Sequence, residues 1–114
     1  MSPEKLRDNV VRALEDVKGR EILALDVSRV TSVTDYMVIA SGTSNRHVKA
    51  LVDSVLLSSK NRGHPSIGIE GLEAMEWVLV DLGDVVVHVM QKEAREFYDL
   101  ERLWSEVPTA EASV

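Results

Sequence analysis

In the stretch DYMVIASG, from Asp35 to Gly42, the residues at alternating positions are apolar or small on both faces after the leading aspartate. Successive side chains of a strand point to opposite faces, so this one demands cover above and below. An interior strand of that kind has to lie in a layered α/β arrangement, with helices packed on a sheet.

The flanking segments supply those layers. Ser2-Pro3 reads as an N-cap and a first helical residue. Leu6, Val10, Ala13, Leu14 and Val17 then recur at helical spacing, and Gly19 offers a stop. EILALDV, from Glu21 to Val27, predicts a short buried strand. After Gly42, Thr43 or Ser44 can cap a helix with the apolar stripe Val48, Leu51, Val52, Val55 and Leu56, ended near Gly63 and Pro65. IGIEG, from Ile67 to Gly71, then predicts a third strand, parallel to its neighbour through a crossover. EWVLVDLGDVVVHVM breaks at Leu82-Gly83, where a type II turn or a glycine bulge would fold it into an antiparallel hairpin. KEAREFYDLERLW, from Lys92 to Trp104, predicts one closing helix with Phe97, Leu100 and Trp104 on one face. The expected order is α-β-β-α-β-β-β-α: a single domain over residues 1–106, with a mixed five-stranded sheet flanked by helices. Residues 107–114 read as a disordered polar tail.

The 114 residues suffice for one modest core. No apolar run approaches the ~20 residues of a membrane span, and the mixed charges of MSPEKLRDNVVRALED do not read as a secretory signal. The chain has no cysteine, which excludes a thiol nucleophile and agrees with a reducing compartment. A cytoplasmic or organelle-matrix protein is the expectation. The net charge of −6 argues against general nucleic-acid binding, which rests on neutralising phosphates.

That charge is unevenly spread. Asn45 to His64 holds four cations (Arg46, Lys49, Lys60, Arg62) against Asp53, whereas Ile67 to Met90 holds five anions and no cation. Opposite electrical faces suit oriented docking on a charged surface.

Catalysis has little support. Asp26, Asp35, Asp81 and Asp84 are the strand-associated acids, but no Asp-x-Asp or Asp-x-Glu pair follows the SGTS turn at Ser41 to Ser44, as a metal-dependent nucleotidyltransferase requires. His47, His64 and His88 show no metal-ligand spacing, and no serine sits in a Gly-x-Ser-x-Gly elbow. No cofactor or metal is expected.

The remaining concentration of chemistry is EGLEAMEWVLVDLGDVVVHVMQ. Alternation puts Trp77, Leu79 and Asp81 on one face and Glu76, Val78 and Val80 on the other. Trp77 is either a core or edge aromatic, or an anchor rimmed by Glu70, Glu73, Met75 and Glu76, the composition of a protein interface. Phe97 and Tyr98 are adjacent on a helix, so only one can point fully inward; the other is a candidate contact.

Three blocks in order, ALDVSRVTSVTDYMVIASGTSNRHVKAL, GIEGLEAMEWVLVDLGDVVVHVM and REFYDLERLW, resemble the ribosomal silencing factor (RsfS, Iojap-like) family over about Leu6 to Trp104. The resemblance implies a nucleotidyltransferase-like fold without catalytic acids, and a non-enzymatic translation repressor. Such a protein binds the large ribosomal subunit at ribosomal protein fourteen and sterically blocks joining of the small subunit when nutrients are scarce. Large-subunit assembly is the alternative, as in organelle relatives; a nucleotidyltransferase and a plain adaptor module are the others. GIEG places Glu70 in the family's acidic block, EWVLVDLGD places Trp77, Asp81 and Asp84 in its central signature, and FYDLERLW supplies Tyr98. The expected partner-binding set is therefore Glu70, Glu73, Met75, Glu76, Trp77, Asp81, Asp84 and Tyr98. Some members look dimeric, so a homodimer stays open. The basic helix from Arg46 to Arg62 either makes a minor contact with ribosomal RNA or faces water.

Overall fold

The computed structural model describes residues 2–103. The elements run α1 (Pro3–Asp16), β1 (Arg20–Asp26), β2 (Tyr36–Gly42), α2 (Asn45–Asn61), β3 (Gly68–Glu70), β4 (Trp77–Asp81), β5 (Val85–Gln91), α3 (Lys92–Tyr98) and α4 (Leu100–Leu103). The strands form one five-stranded sheet in the order β1-β2-β5-β4-β3. A mixed α/β domain is thus as expected, and β2, buried along its whole length, is the interior strand.

The helix caps follow the sequence signals. Ser2 Oγ accepts the Lys5 amide at 3.2 Å and Pro3 opens α1. Ser44, rather than Thr43, caps α2, accepting the His47 amide at 3.1 Å. The stop of α1 is made differently from the expectation. Lys18, not Gly19, takes the left-handed conformation (φ 59°), while the Gly19 amide donates to the Leu14 carbonyl at 2.8 Å. A Cβ on Gly19 would lie 3.1 Å from that oxygen and 3.2 Å from Leu51 Cδ2, so glycine serves close approach there.

Two topological expectations are corrected. β3 does not pair with β2 in parallel; it pairs antiparallel with β4 at the sheet edge, and the parallel partner of β2 is β5. β5 carries apolar residues on both faces and belongs inside, whereas GIE is three residues long and largely exposed. The turn at Leu82-Gly83 does close an antiparallel hairpin. Its positive φ, +86°, falls on Gly83 at the first of two central residues, where a type II′ turn carries glycine; a type II turn needs it at the second.

A third correction concerns the closing helix. Asp99 adopts φ 47° and splits it into α3 and the short α4. Phe97 does not join Leu100 on a packing face: Leu100 is buried and Phe97 is 81% exposed. Trp104 and the tail 107–114 lie outside the described residues.

The sheet has two unequal faces. Helices α1 and α2 cover one with Leu6, Val10, Leu14, Val48, Leu51, Val52 and Val55 against Val38, Ala40, Val78, Val80, Val85, Val87 and Val89. Burying each such side chain contributes roughly 1.5–3 kcal/mol, so this layer dominates stability. On the other face, Leu100 and Ala94 pack with Leu25, Met37, Ile39 and Met90, and with Leu23 and Trp77. That second cover is partial, since Leu79, Asp81 and Val86 remain only half-buried.

Candidate docking face

Cross-strand register sets what the partly covered face presents. Glu70 pairs with Leu79, and Leu79 with His88. Asp81 pairs with Val86 and Trp77 with Met90. Directly opposed residues point to the same side, so Glu70, Leu79, His88, Asp81, Val86 and Trp77 share the face opposite α1 and α2. The half-buried indole therefore belongs to the thinly covered side.

Trp77 is held in place from two directions. Its Nε1 donates to His88 Nδ1 at 2.9 Å, with ring centroids 5.8 Å apart. On its other flank the Tyr98 ring lies at 4.9 Å with a 46° tilt, and Phe97 meets Tyr98 edge-on at 5.1 Å. Burial lowers the His88 pKa from 6.5 to about 4, so the ring is neutral near pH 7. The indole nitrogen only donates, so Nδ1 must be the acceptor and the proton sits on Nε2.

Two unusual backbone positions shape the entry to β4. Gly71 has φ +91°, and a Cβ there would lie 2.1 Å from the Trp77 carbonyl oxygen. Met75 has φ 59° and its amide donates to the Gly71 carbonyl at 3.1 Å. These features fold the segment between β3 and β4 tightly against the start of β4.

The expected partner-binding residues separate into groups. Trp77, Tyr98, Asp81 and Glu70 fall on or beside the open face. Glu73 and Glu76 are exposed in the approach to β4. Met75 is not brought beside Trp77; it is half-buried and packs with the core on the α1–α2 side. Asp84 is exposed in the turn beyond the opposite end of β4, an end that is itself roughly 13 Å along the strand from Trp77. Its carbonyl accepts the Asp35 and Tyr36 amides, each at 3.0 Å. Asp81 Oδ1 accepts the Gly83 amide at 2.8 Å and so also braces the turn. His88 and the exposed Phe97 complete the cluster; the sequence did not single out His88 as a contact, and it offered Phe97 only as the alternative to Tyr98. The hairpin register was the signal for His88, since it sets His88 diagonally from Trp77.

The charges on this side are not internally compensated. The ion pairs among the described residues are Arg7–Asp8, Lys49–Asp53 and Arg95–Glu101, and none involves the acids from Glu70 to Asp84. Among the described residues, no three metal-ligating side chains gather. Asp26 is engaged by the Ser28 amide and hydroxyl, at 3.0 and 2.6 Å, which holds its pKa below the usual value. No helix of the described residues is long and apolar enough to cross a membrane.

Comparison with known proteins agrees with this architecture. A family model described as "Ribosomal silencing factor during starvation" matches residues 1–114. A ribosomal silencing factor from Chromobacterium violaceum is 49% identical over 104 residues, covering 91% of this chain and 85% of that protein. A crystal structure from the same organism superposes with a TM-score of 0.90 at 46% identity, covering 100% of this chain and 94% of that one. The mouse protein named for mitochondrial assembly of the ribosomal large subunit is 41% identical over 101 residues, spanning 86% of this chain and 44% of that protein. The family match over the full length and the shared fold together place this chain in the ribosomal silencing factor (RsfS) family.

Proposed function

We propose that this protein represses translation by docking on the large ribosomal subunit, through ribosomal protein fourteen, and standing in the way of the small subunit. The proposed setting is the cytoplasm under nutrient limitation. One observation carries the reading: the half-buried Trp77 and the half-exposed Tyr98 pack ring to ring on the thinly covered sheet face, among carboxylates that have no ion-pair partner among the described residues. A basic ribosomal protein complements that surface. The aromatics supply the binding energy, and the carboxylates supply orientation that weakens in high salt. The action makes and breaks no covalent bond.

A specific interface of this kind buries roughly 800 Å² per partner. Removing its central aromatic costs on the order of 2 kcal/mol, about a thirtyfold loss of affinity. Sedimentation through a sucrose gradient tests the placement. The folded wild-type chain should co-migrate with free large subunits and not with joined ribosomes, and Trp77→Ala should stay near the top. Wild-type co-migration by Trp77→Ala would show that the interface lies elsewhere.

The mouse relative's name favours a second reading, assembly of the large subunit. An assembly factor binds large subunits yet leaves subunit joining untouched, so the two readings separate on a joining assay.

A further inference from the structure

We infer that the cleft between the end of β5 and α3 receives an arginine side chain of the docked protein. The inference rests on the docking reading above and adds a specific recognition site to it. The cleft has a volume of about 360 Å³ and is lined by Glu76, Gln91, Glu93, Ala94, Phe97 and Tyr98. Two walls are aromatic, two are carboxylates, and no cation among the described residues lines it.

The aromatic walls are exposed without serving the core. Phe97 is 81% and Tyr98 51% exposed, on a helix whose buried side chain is Arg95. Apolar surface of this kind, edged by charge, marks an interaction site. Neither Glu76 nor Glu93 forms an ion pair among the described residues. A guanidinium fits both wall types, since it stacks on aromatic faces and binds carboxylates through a planar fork. An uncharged apolar side chain would leave the acids unanswered, and an anion would be repelled.

The cleft is also preformed. Arg95 ties α3 down through Nη1 to the Glu21 carbonyl at 2.7 Å and to Ser41 Oγ at 2.9 Å. Gln91 fixes the floor by donating through Nε2 to the Met75 carbonyl at 3.1 Å and to Asn45 Oδ1. Tyr98 joins the cleft to the docking face, because its ring packs on Trp77. Little order has to be gained on binding, which favours affinity.

The test uses the full chain and purified large subunits. Phe97→Leu keeps apolar bulk but removes the π face, and should weaken binding about tenfold. Phe97→Trp should retain or improve it. Paired Glu76→Gln and Glu93→Gln changes should weaken binding at low salt and flatten its salt dependence. Wild-type affinity for Phe97→Leu, or equal losses for the leucine and tryptophan variants, would overturn the site. If only Trp77→Ala weakens binding, the docking face stands and the cleft falls. If the unaltered chain does not bind large subunits, both fall.

Discussion

The indole N–H of Trp77 donates to Nδ1 of His88 at 2.9 Å, across neighbouring strands of the hairpin. That bond consumes the one polar group of the tryptophan, so a partner meets the ring through its face and carbon edge. It also requires a neutral histidine, which burial provides.

The pairing predicts an acid-sensitive fold. His88 is depressed to about 4 when folded, from an ordinary value of 6.5. Its contribution is therefore complete above pH 6.5 and is lost as pH falls toward 4, because the unfolded chain takes up the proton first. Between pH 7 and pH 4 it should remove about 3 kcal/mol of stability. Urea unfolding of wild type and His88→Asn at both pH values measures this. The asparagine oxygen can still accept from the indole, while the histidine share of the pH slope disappears.

Gly71 should be among the least replaceable surface positions. Its φ of +91° disfavours any side chain, and a Cβ would strike the Trp77 carbonyl at 2.1 Å. Gly71→Ala should cost about 2 kcal/mol or more in thermal or denaturant unfolding. Gly63 has φ +76° with open space around the added carbon, so Gly63→Ala should cost only about 1 kcal/mol.

Arg95 couples α3 to the sheet. Its Nη1 serves the Glu21 carbonyl and Ser41 Oγ, and its Nε reaches Glu101 at 3.2 Å. Arg95→Met should destabilise by about 2 kcal/mol, since it strands buried polar groups. It should also loosen Tyr98 from Trp77, so hydrogen exchange in α3 should rise even at temperatures where the sheet stays folded.

Much of the fold was legible in local pattern. The interior strand Tyr36–Gly42, the Ser2 and Ser44 caps and the hairpin around Gly83 are each set by residues close in sequence. Strand order was not legible, because β2 and β5 meet through a pairing between residues 36–42 and 85–91. Nothing local in GIE distinguishes a strand beside β2 from one at the far edge beside β4. The break at Asp99 was hidden for a similar reason. DLERL has helical propensity, yet Leu100 is drawn onto the sheet and Arg95 reaches Glu101, which a straight helix would not permit at the same time.

The candidate site was half legible. Alternation alone separated Trp77 and Asp81 from Val78 and Val80, as the structure has them. It could not place Met75, whose left-handed backbone turns it onto the helix-side core. Phe97 and Tyr98 were recognised as a pair of which one should be free. Both are exposed, because the ring of Tyr98 is satisfied by Trp77 rather than by the core.

Light scattering during association of purified small and large subunits addresses the proposed action without intermediaries. Large subunits preloaded with saturating protein should fail to form joined ribosomes, and Trp77→Ala should leave joining almost unaffected. Full, wild-type joining in the presence of bound protein would contradict occlusion and leave the protein a ligand of the large subunit without a silencing role.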